Sequence, residues 1–458
     1  MIISSLVGII ADDLTGANDT ALQFHLRGSN TQILLSDTIY LQNLKNTQTW
    51  AISTETRNAP ADVAVEKVKH ATQTFLEKLN LDYFYKKIDS TIRGNIAVET
   101  LAMLKVLGWD AAVMVPAFPS EGRTTVGGYH LLNGIPVERT EMARDVHSPI
   151  YESHIPTLLK SQLEENQKDI VGYIDLSTVM KGAGPVLSKI RQLVKDGKKL
   201  IVADSVSTTD IEQIVLAINK SENKILPVGS AACAQALGNI WLPEMKNQHI
   251  KKVIPKLPKL VISGSATEIT AAQIKKLAKT NVFDNVHIIN LDLQTILNDV
   301  SGELVKNITD NLGESNTVVV NTSYLIADFD GFSDDSLNAE LTKSKLASKI
   351  TDFLAKLANI ITNQRDVILI TLGGETSYKC CSATDSLQLH LVDEVLPAIP
   401  LCIDYKAQWI VTKSGNLGGE DTLIDILKYF EKNENWYNNY DWWSKRNWAR
   451  SNIKGTKF

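Results

Sequence analysis

The chain has 458 residues, of which 44% are hydrophobic and 22% are charged, and this length and composition predict a globular protein of two domains. The net charge of −5 excludes the basic surface that binding to nucleic acid or to an anionic membrane would require. No run of about 18 apolar residues predicts a membrane span, and the four cysteines form neither a CxxC pair nor a zinc pattern. This cysteine pattern fits a reducing compartment, so we expect a cytoplasmic protein. We expect no signal peptide, because Asp12 and Asp13 interrupt the apolar N-terminal run.

Short apolar runs alternate with amphipathic stretches along the first 240 residues. The first predicted strand is "SSLVGIIA", followed by a helix in "TGANDTALQFHLR" and a second strand in "TQILL". Further predicted strands are "DYFYKKI", "DAAVMVP", "DIVGYID" and "KLIVAD". This alternation predicts right-handed crossovers and a largely parallel sheet.

A proline-containing stretch, "NIWLPEMKNQHIKKVIPKLP", interrupts this pattern, and a second α/β series follows it with "KLVISGS", "NVHIINL", "TVVVN", "DVILITLGG" and "WIVTKSG". The predicted fold class is α/β, with two three-layer αβα domains, largely parallel sheets and an active-site cleft between the domains. The predicted boundaries are 1–240 for the first domain, 241–258 for a linker, 259–432 for the second domain and 433–458 for a C-terminal tail.

The tail is rich in aromatic residues. It contains Trp436, Trp442, Trp443 and Trp448, which are half of the eight tryptophans in the chain. Because so much aromatic area is unfavourable in water, we expect the tail to pack against its own chain or a sister subunit, which makes a homo-oligomer a hypothesis. A site for a separate partner is the alternative.

Two adjacent aspartates end the first predicted strand. In parallel α/β sheets, ligands bind beyond the carboxyl ends of the strands. One carboxylate is enough to cap the following helix, and a second one nearby costs repulsion unless a cation or substrate hydroxyl groups offset it. We therefore interpret Asp12 or Asp13 as functional, with helix capping as the alternative.

The strand "DYFYKKI" is followed by "DSTIRGN", which contains Asp89, Ser90, Thr91 and Arg93. Arginine makes paired hydrogen bonds to carboxylates, and the three short polar side chains suit hydroxyl groups. A molecule with a carboxylate and hydroxyl groups, a sugar acid, would match this set. Arg57 lies at another strand end and is a weaker candidate. A capped helix start with an arginine salt bridge is the alternative.

A polar stretch rich in glycine and proline covers residues 116–145. We expect a long ordered loop there, of the kind that often acts as a lid over a site. Its His130 is interpreted as structural rather than catalytic.

Three turns that contain glycine and hydroxyl residues follow strands of the second domain: "SGSAT", "LGGETS" and "TKSGNLGGED". Glycines allow close backbone approach, and helix N-termini favour anions, so these turns together predict a phosphate site that Lys413 would help to neutralise. There is no GxxxxGK[ST] motif and no GxGxxG motif at the N-terminus. An acceptor site together with a nucleotide site predicts a kinase that uses Mg²⁺.

The motifs resemble those of the four-carbon acid sugar kinases, which phosphorylate D-threonate, D-erythronate or 3-oxo-tetronate with ATP. The resemblance extends from "IADDLTGANDT" to "VTKSGNLGGEDTL" and includes "KKIDSTIRGN", "PAFPSEGRTT", "GSATEITAAQI" and "LGGETS". It implies a sugar-acid-binding first domain and an ATP-binding second domain. The substrate contacts that it implies are Asp12, Arg57, Asp89, Ser90, Thr91 and Arg93. The ATP contacts that it implies are Ser265, Gly373, Gly374, Glu375, Thr376 and Gly415.

Three positions depart from the family pattern. Ala398 in "PAIPLC" and Ala232 in "VGSAACAQ" stand where family members usually carry glycine, and Thr267 stands where they usually carry serine. The departures leave the implied reaction unchanged.

The residue that accepts the proton of the substrate hydroxyl stays open among Asp12, Asp13 and Asp89, with Asp12 and Asp89 as the catalytic candidates. Two other functions remain as alternatives: a non-catalytic sensor of a sugar acid or nucleotide, and a hydrolase or isomerase acting on sugar acids. The second alternative leaves the three glycine turns without a function.

Overall fold

The computed structural model describes residues 6–40, 46–145, 148–242, 254–280, 282–313, 316–325 and 342–434. The chain divides into two compact units, Met1–Gln248 and His249–Phe458, called here the N-terminal unit and the C-terminal unit. Most of the predicted linker 241–258 lies outside the described residues, and so does the tail beyond residue 434 with its four tryptophans. Among the described residues, no helix combines the length and the apolar character needed to cross a membrane.

The N-terminal unit is an α/β unit. Its strands are β1 (Val7–Ala11), β2 (Thr31–Leu34), β3 (Thr49–Ser53), β4 (Tyr83–Lys87), β5 (Ala111–Val115), β6 (Arg123–Val126), β7 (Tyr129–Leu132), β8 (Ile135–Pro136), β9 (Val171–Ile174), β10 (Leu200–Ala203) and β11 (Ile225–Gly229). Its helices are α1 (Leu14–His25), α2 (Ala61–Lys78), α3 (Ile96–Leu107), α4 (Ile155–Ser161), α5 (Leu176–Val179), α6 (Ala183–Lys195), α7 (Thr208–Asn219) and α8 (Ala231–Trp241).

The main sheet of this unit is parallel and has the strand order β2-β3-β1-β4-β11-β5-β10-β9. Helices α1, α8, α7 and α6 pack in succession, and α2, α3 and α4 form a second packed series. All five residues of β1 are buried, as expected for a parallel strand covered on both faces. Amphipathic α2 contributes Val68, Ala71 and Phe75 to the same core. The largely parallel α/β architecture is therefore as predicted.

The segment 116–145 is not the continuous loop that the sequence predicted. Strands β6, β7 and β8 form a small antiparallel sheet within it. The physical reason is the pair Gly127 and Gly128, whose φ values of 61° and 77° form the two-residue turn that joins β6 to β7. Such a glycine pair between two four-residue runs is a hairpin signal in the sequence.

The C-terminal unit is also an α/β unit. Its strands are β12 (Lys259–Ser263), β13 (Val286–Asn290), β14 (Thr317–Asn321), β15 (Ile368–Leu372), β16 (Gln388–Leu396), β17 (Ile399–Asp404) and β18 (Trp409–Lys413). Its helices are α9 (Glu268–Lys279), α10 (Leu293–Leu297), α11 (Gly302–Leu312), α12 (Lys343–Gln364), α13 (Gly374–Ala383) and α14 (Thr422–Glu434).

Within this unit the strand order is β13-β14-β12-β15-β18-β17-β16. The pairs among β13, β14, β12, β15 and β18 are parallel, whereas β17 runs antiparallel to both β18 and β16. Pro397 and Ala398 form the tight connection between β16 and β17, and Ala398 has a left-handed φ of 62°. This conformation explains why glycine suits the position of Ala398.

Candidate functional site

The order of strands in each unit identifies the place where a ligand is expected. In the N-terminal unit the chain leaves β1 toward β2 on one side and leaves β4 toward β5 on the other. In the C-terminal unit the chain leaves β12 toward β13 and leaves β15 in the opposite direction. A crevice forms at the carboxyl ends of two adjacent strands whose connections diverge in this way. These positions are β1/β4 and β12/β15, and the polar turns of the sequence follow these strands.

Arg57 joins the two aspartates that follow β1. Its Nε and Nη2 donate to Asp12 at 2.7 and 3.1 Å, and its Nη1 donates to Asp13 Oδ2 at 2.6 Å. Asp13 also caps α1, because its Oδ1 accepts from Gly16 N at 2.7 Å. The capping alternative is thus correct for Asp13. Asp12 is 3% exposed and makes no such cap, which leaves its carboxylate directed at Arg57.

The turn that follows β4 is organised by the carboxylate of Asp89. It accepts from Arg93 Nε at 2.8 Å and Nη2 at 3.1 Å, from the backbone N–H groups of Thr91 and Arg93 at 3.3 Å each, and from the Thr91 hydroxyl. Arg93 Nη1 donates to Asp145 at 2.7 Å, and Arg57 Nη2 lies 3.7 Å from Asp89 Oδ1. The structure therefore brings the predicted residues from three separate segments into one charged cluster.

Both catalytic candidates are held in the ionised form. Burial by itself would raise the pKa of Asp12, but the positive charge of Arg57, with Lys86 and Lys87, outweighs it and lowers that pKa. Burial likewise opposes ionisation of Asp89, whose pKa nevertheless falls well below its usual value because of Arg93 and Arg57. The two guanidinium groups therefore neutralise carboxylates that would otherwise repel one another.

A buried ion pair lies in the strand and helix beside these charges. Lys86 Nζ is 2.8 Å from Glu99 Oε2, and their side chains are 0% and 2% exposed. Lys86 also donates to the carbonyl oxygen of Lys87 at 2.9 Å. Removing either partner of such a pair would leave an uncompensated buried charge, so the pair is a structural requirement of the site.

Glu55, next to the Arg57 segment, differs from the other carboxyl groups. Its Oε1 accepts from Leu14 N at 2.8 Å and from Ser53 Oγ at 2.5 Å, and its own φ is 48°. Burial, followed by repulsion from Asp13, raises the pKa of Glu55 to about 7. Burial also raises the pKa of Asp19, on the first helix, to about 6. These two groups therefore titrate near neutral pH.

Three glycine-containing turns meet in the C-terminal unit. A Cβ on Gly264 would collide with Thr376 Oγ1, one on Gly415 would collide with Ser265 Oγ, and one on Gly373 would lie 3.4 Å from Ser265. Gly373 has a φ of 113°, donates its N–H to Lys413 O at 2.8 Å and precedes α13. The turns after β12, β15 and β18 therefore form one glycine-lined site at the N-terminus of α13.

The charged groups of two predicted nucleotide-site residues contact other groups of the protein. Lys413 is 1% exposed, and its Nζ donates to Ser414 O at 2.8 Å and to Gly415 O at 3.4 Å. Burial lowers the pKa of Lys413 to about 8. The Glu375 carboxylate lies 3.2 Å from Lys379 Nζ on the same helix. The described residues contain no group of three or more His, Cys, Asp or Glu side chains arranged to hold a metal ion.

Comparisons with known proteins identify the family. The model of a sugar-binding N-terminal domain matches residues 7–237, and the model of a nucleotide-binding C-terminal domain matches residues 260–423. A D-erythronate kinase of Heliobacterium modesticaldum is 31% identical, over 93% of this chain and 97% of its own length. The chain belongs to the family of four-carbon acid sugar kinases. The resemblance inferred from the motifs is thereby confirmed.

Other members of this family of four-carbon acid sugar kinases agree with the assignment. A D-threonate kinase of Salmonella typhimurium is 28% identical, over 93% of this chain and 98% of its own length. A crystal structure of a Haemophilus influenzae protein has a TM-score of 0.70 at 25% identity, covering 93% of this chain and 99% of that chain. Further relatives are named 3-oxo-tetronate kinases.

Sequence reasoning missed three contributors to the charged cluster and its surroundings. Nothing in the sequence indicates that Asp145 pairs with Arg93 or that Glu55 accepts a hydrogen bond from Leu14 at the start of α1. The Lys86–Glu99 ion pair did leave a signal, since Lys86 and Lys87 are consecutive lysines in an otherwise apolar strand. Two such residues in a buried strand indicate a buried partner for at least one charge.

Proposed function

We propose that the protein is an ATP-dependent kinase that phosphorylates a hydroxyl group of a four-carbon sugar acid such as D-erythronate or D-threonate. The observation that carries this proposal is the contrast between two switch-point sites. One of them is lined by carboxylate and guanidinium side chains, and the other by glycine turns and a helix N-terminus. A hydroxy acid suits the first site, and a polyphosphate suits the second.

In the acceptor site, Arg93 binds the substrate carboxylate and Arg57 assists it. Each guanidinium has five N–H donors, and the contacts described above use three of them in each residue. Donors therefore remain for an incoming carboxylate. Ser90 and Thr91 are proposed to contact the substrate hydroxyl groups.

Asp12 is proposed as the group that orients the acceptor hydroxyl and takes its proton. The Asp89 carboxylate already accepts several hydrogen bonds inside its own turn, whereas the Asp12 carboxylate accepts only from Arg57 among the contacts described here. Asp89 is therefore assigned the task of shaping the turn. A carboxylate of low pKa suits this reaction, because phosphoryl transfer through a loose transition state demands little basicity.

In the nucleotide site, the N–H groups of Gly374, Glu375 and Thr376 at the start of α13 are proposed to bind the ATP phosphates, together with Ser265 and Gly415. Lys413 supplies positive charge and fixes the turn that carries Gly415 through its carbonyl contacts. Phosphoryl transfer requires the acceptor hydroxyl and the γ-phosphate to meet, so the proposal requires both units to bring their ligands together during turnover.

Mg²⁺ is proposed to arrive with the nucleotide. This ion usually keeps several water ligands and binds through substrate phosphates and one or two carboxylates. When bound, it would neutralise charge that develops on the phosphate oxygens.

The test is a panel of four-carbon acids that includes D-erythronate, D-threonate, their L-isomers and 3-oxo-tetronate. ADP release is measured with purified protein, ATP and Mg²⁺, and phosphorus NMR identifies the phosphorylated product. We expect one acid to be turned over at least tenfold more efficiently than its epimer. ATP binding without turnover of any acid would reject the acceptor assignment and favour the sensor, and conversion of an acid without ATP would favour the hydrolase or isomerase.

A 3-oxo-tetronate kinase is the second candidate, because some relatives of comparable coverage carry that name. The same panel separates the two, since a 3-oxo acid has a ketone in place of the C3 hydroxyl, whereas D-erythronate and D-threonate both keep that hydroxyl and differ in configuration at C2. A cytoplasmic location and a homo-oligomer remain part of the proposal, the latter motivated by the tryptophan-rich tail.

A further inference from the structure

The turn that carries Asp89, Ser90, Thr91 and Arg93 has an unfavourable backbone conformation. Ile92 is β-branched and has a φ of 60°, a left-handed value that is strained for such residues. A backbone of this kind persists only where surrounding contacts hold it in place. The question is which contacts hold this turn.

One such contact comes from His130 on β7. Its Nε2 donates to the carbonyl oxygen of Ser90 at 2.8 Å, and its Nδ1 lies 3.0 Å from Thr125 Oγ1. The ring is 0% exposed. Burial lowers the pKa of His130 to about 4, despite the nearby Asp89 carboxylate, so the ring is neutral near pH 7. In the neutral tautomer Nε2 carries the hydrogen, and the Thr125 hydroxyl donates to Nδ1.

The hairpin β6–β7 that carries His130 is itself fixed at its tip. Asp204, which is 1% exposed, accepts from Gly127 N at 2.8 Å and from Gly128 N at 3.0 Å. Thr125 and Ser205 exchange backbone hydrogen bonds of 2.8 and 2.9 Å. The hairpin therefore connects the end of β10 to the turn beyond β4 without supplying any predicted substrate contact.

We propose that His130 is a positioning residue for the sugar-acid site, because its Nε2–H group holds the Ser90 carbonyl and thereby the left-handed turn that presents Ser90, Thr91 and Arg93. This inference rests on the proposed function for its substrate and on the geometry of the N-terminal unit for its mechanism. It assigns a kinetic role to a residue that the sequence indicated as structural.

The test compares three substitutions that preserve different parts of the imidazole. His130→Gln places an amide N–H near the position of Nε2, His130→Asn keeps only a group near Nδ1, and His130→Phe keeps the ring volume without a donor. We expect His130→Gln to keep the KM for the sugar acid within about threefold. We expect the other two to raise it about 10- to 100-fold, with a smaller loss in kcat and an unchanged Kd for a non-hydrolysable ATP analogue.

Equal kinetics for the Gln and Asn substitutions, or an unchanged KM in His130→Phe, would overturn the inference. Where His130→Phe fails to fold, Asp204→Asn loosens the hairpin tip from a distance and is expected to raise the same KM by a smaller factor. An Asp204→Asn enzyme with the KM of the wild type would then count against the inference.

Two measurements separate this inference from the proposed function. Nitrogen-15 NMR of labelled histidine should show the Nε2–H tautomer of His130 down to about pH 5. The charged groups that act on this ring are Asp89, which raises its pKa, and Arg123, which lowers it. Amide hydrogen exchange over 91–94 should rise in His130→Phe but not in His130→Gln. Failure of the wild type to bind any four-carbon acid would reject the proposed function alone, whereas unchanged exchange in His130→Phe would reject the positioning role alone.

Discussion

The two units place different chemistry on the same local scaffold. In the N-terminal unit, Thr54 follows β3 and donates its hydroxyl to the carbonyl of Ala11, the last residue of β1, at 2.8 Å. In the C-terminal unit, Thr322 follows β14 and donates its hydroxyl to the carbonyl of Ser263, the last residue of β12, at 2.7 Å. The strand registers agree as well, because Ala11 pairs with Ser53 and Ser263 pairs with Asn321.

The residues that come next differ in kind. Asp12 and Asp13 follow β1, whereas Gly264 and Ser265 follow β12. Carboxylates and guanidiniums give direction and charge to a site for a small hydroxy acid, but they must be neutralised in pairs. Glycines give a phosphate access to the backbone N–H groups, and no side chain needs neutralising. Under the proposed function, the same arrangement of strands serves either ligand, and the two or three residues after the strand determine which one it binds.

The largest expected effect on turnover comes from removing the negative charge of Asp12, the proposed base. Asp12→Asn should lower kcat about 10²- to 10⁴-fold, because a neutral amide cannot take the hydroxyl proton. The Kd for a non-hydrolysable ATP analogue should stay within about twofold, as calorimetry would measure. Asp37→Asn, at an exposed carboxylate paired with His70, is the matched control and should keep full turnover. If Asp12→Asn also weakens nucleotide binding, the proposal that the N-terminal unit binds the acceptor and the C-terminal unit binds the nucleotide is contradicted.

The reciprocal experiment fills the glycine-lined site. Gly373→Ala should weaken nucleotide binding at least tenfold, because its φ of 113° strains an alanine and its Cβ would lie 3.2 Å from Thr376 Oγ1. Binding of the sugar acid should not change. Gly108→Ala is the control, since Gly108 also has a positive φ of 64° but has nothing within 4 Å of a Cβ. Both substitutions should destabilise the protein by about 1–2 kcal/mol, because a residue with a Cβ is strained at a positive φ. If Gly108→Ala weakens nucleotide binding to a similar extent, then the effect of Gly373→Ala on binding comes from backbone strain and not from filling of the glycine-lined site.

The sequence predicted the strand ends well because buried parallel strands are short apolar runs that stop at polar residues. Asp12, Asp89, Ser265 and Gly373 follow β1, β4, β12 and β15 as expected. It did not predict the hairpin β16–β17, although "QLHL" alternates polar and apolar residues, because most other strands of the chain follow a parallel pattern. The Ala398 departure was the local signal for a tight turn at that place.

The pairing of charges was beyond the reach of the sequence. Arg57 is separated from Asp12 by 45 positions, and Arg93 from Asp145 by 52. No local rule selects these partners, since the sheet order alone brings the strand ends together. For the same reason the sequence indicated Arg57 only as a weak candidate and gave no ground for choosing between Asp12 and Asp89 as the base. The choice of Asp12 is a proposal that rests on the different hydrogen bonds of the two carboxylates.

A pH-dependent effect is expected for the N-terminal unit because Glu55 has a pKa of about 7 in place of its ordinary 4.5. A raised folded-state pKa means that stability is fully present below pH 4.5 and is lost as the pH rises through 7. Glu55→Gln removes that loss and can still accept from Leu14 N. The free energy of unfolding of the variant relative to that of the wild type should therefore increase from pH 5 to pH 8 by about 1–2 kcal/mol after allowance for solvent screening, and the difference in Tm should increase with it. Thermal melts at four pH values check this.

The control for that series is Glu66→Gln, at an exposed carboxylate paired with Lys69. Its Tm difference from the wild type should stay nearly constant over the same pH range, because an exposed pair contributes little to stability. If the Tm difference from the wild type depends on pH in the same way for both variants, then Glu55 titrates as an ordinary carboxyl group. The stability of the N-terminal unit would then lack the pH dependence expected from a buried carboxyl group.

The smallest expected effect concerns the hairpin that belongs to the C-terminal unit. Ala398→Gly should stabilise this unit by about 0.5–1 kcal/mol, because glycine adopts the left-handed φ of 62° without strain, although it gains entropy in the unfolded chain. Ala347→Gly, in the first turns of α12, should instead destabilise the unit by about 1 kcal/mol. Hydrogen exchange at β16 and β17 can follow both variants, with β1 and β4 as the reference. If Ala398→Gly accelerates hydrogen exchange as Ala347→Gly does, then backbone strain at Ala398 does not lower the stability of the unit. The packing of the Ala398 methyl group would then make the larger contribution to stability.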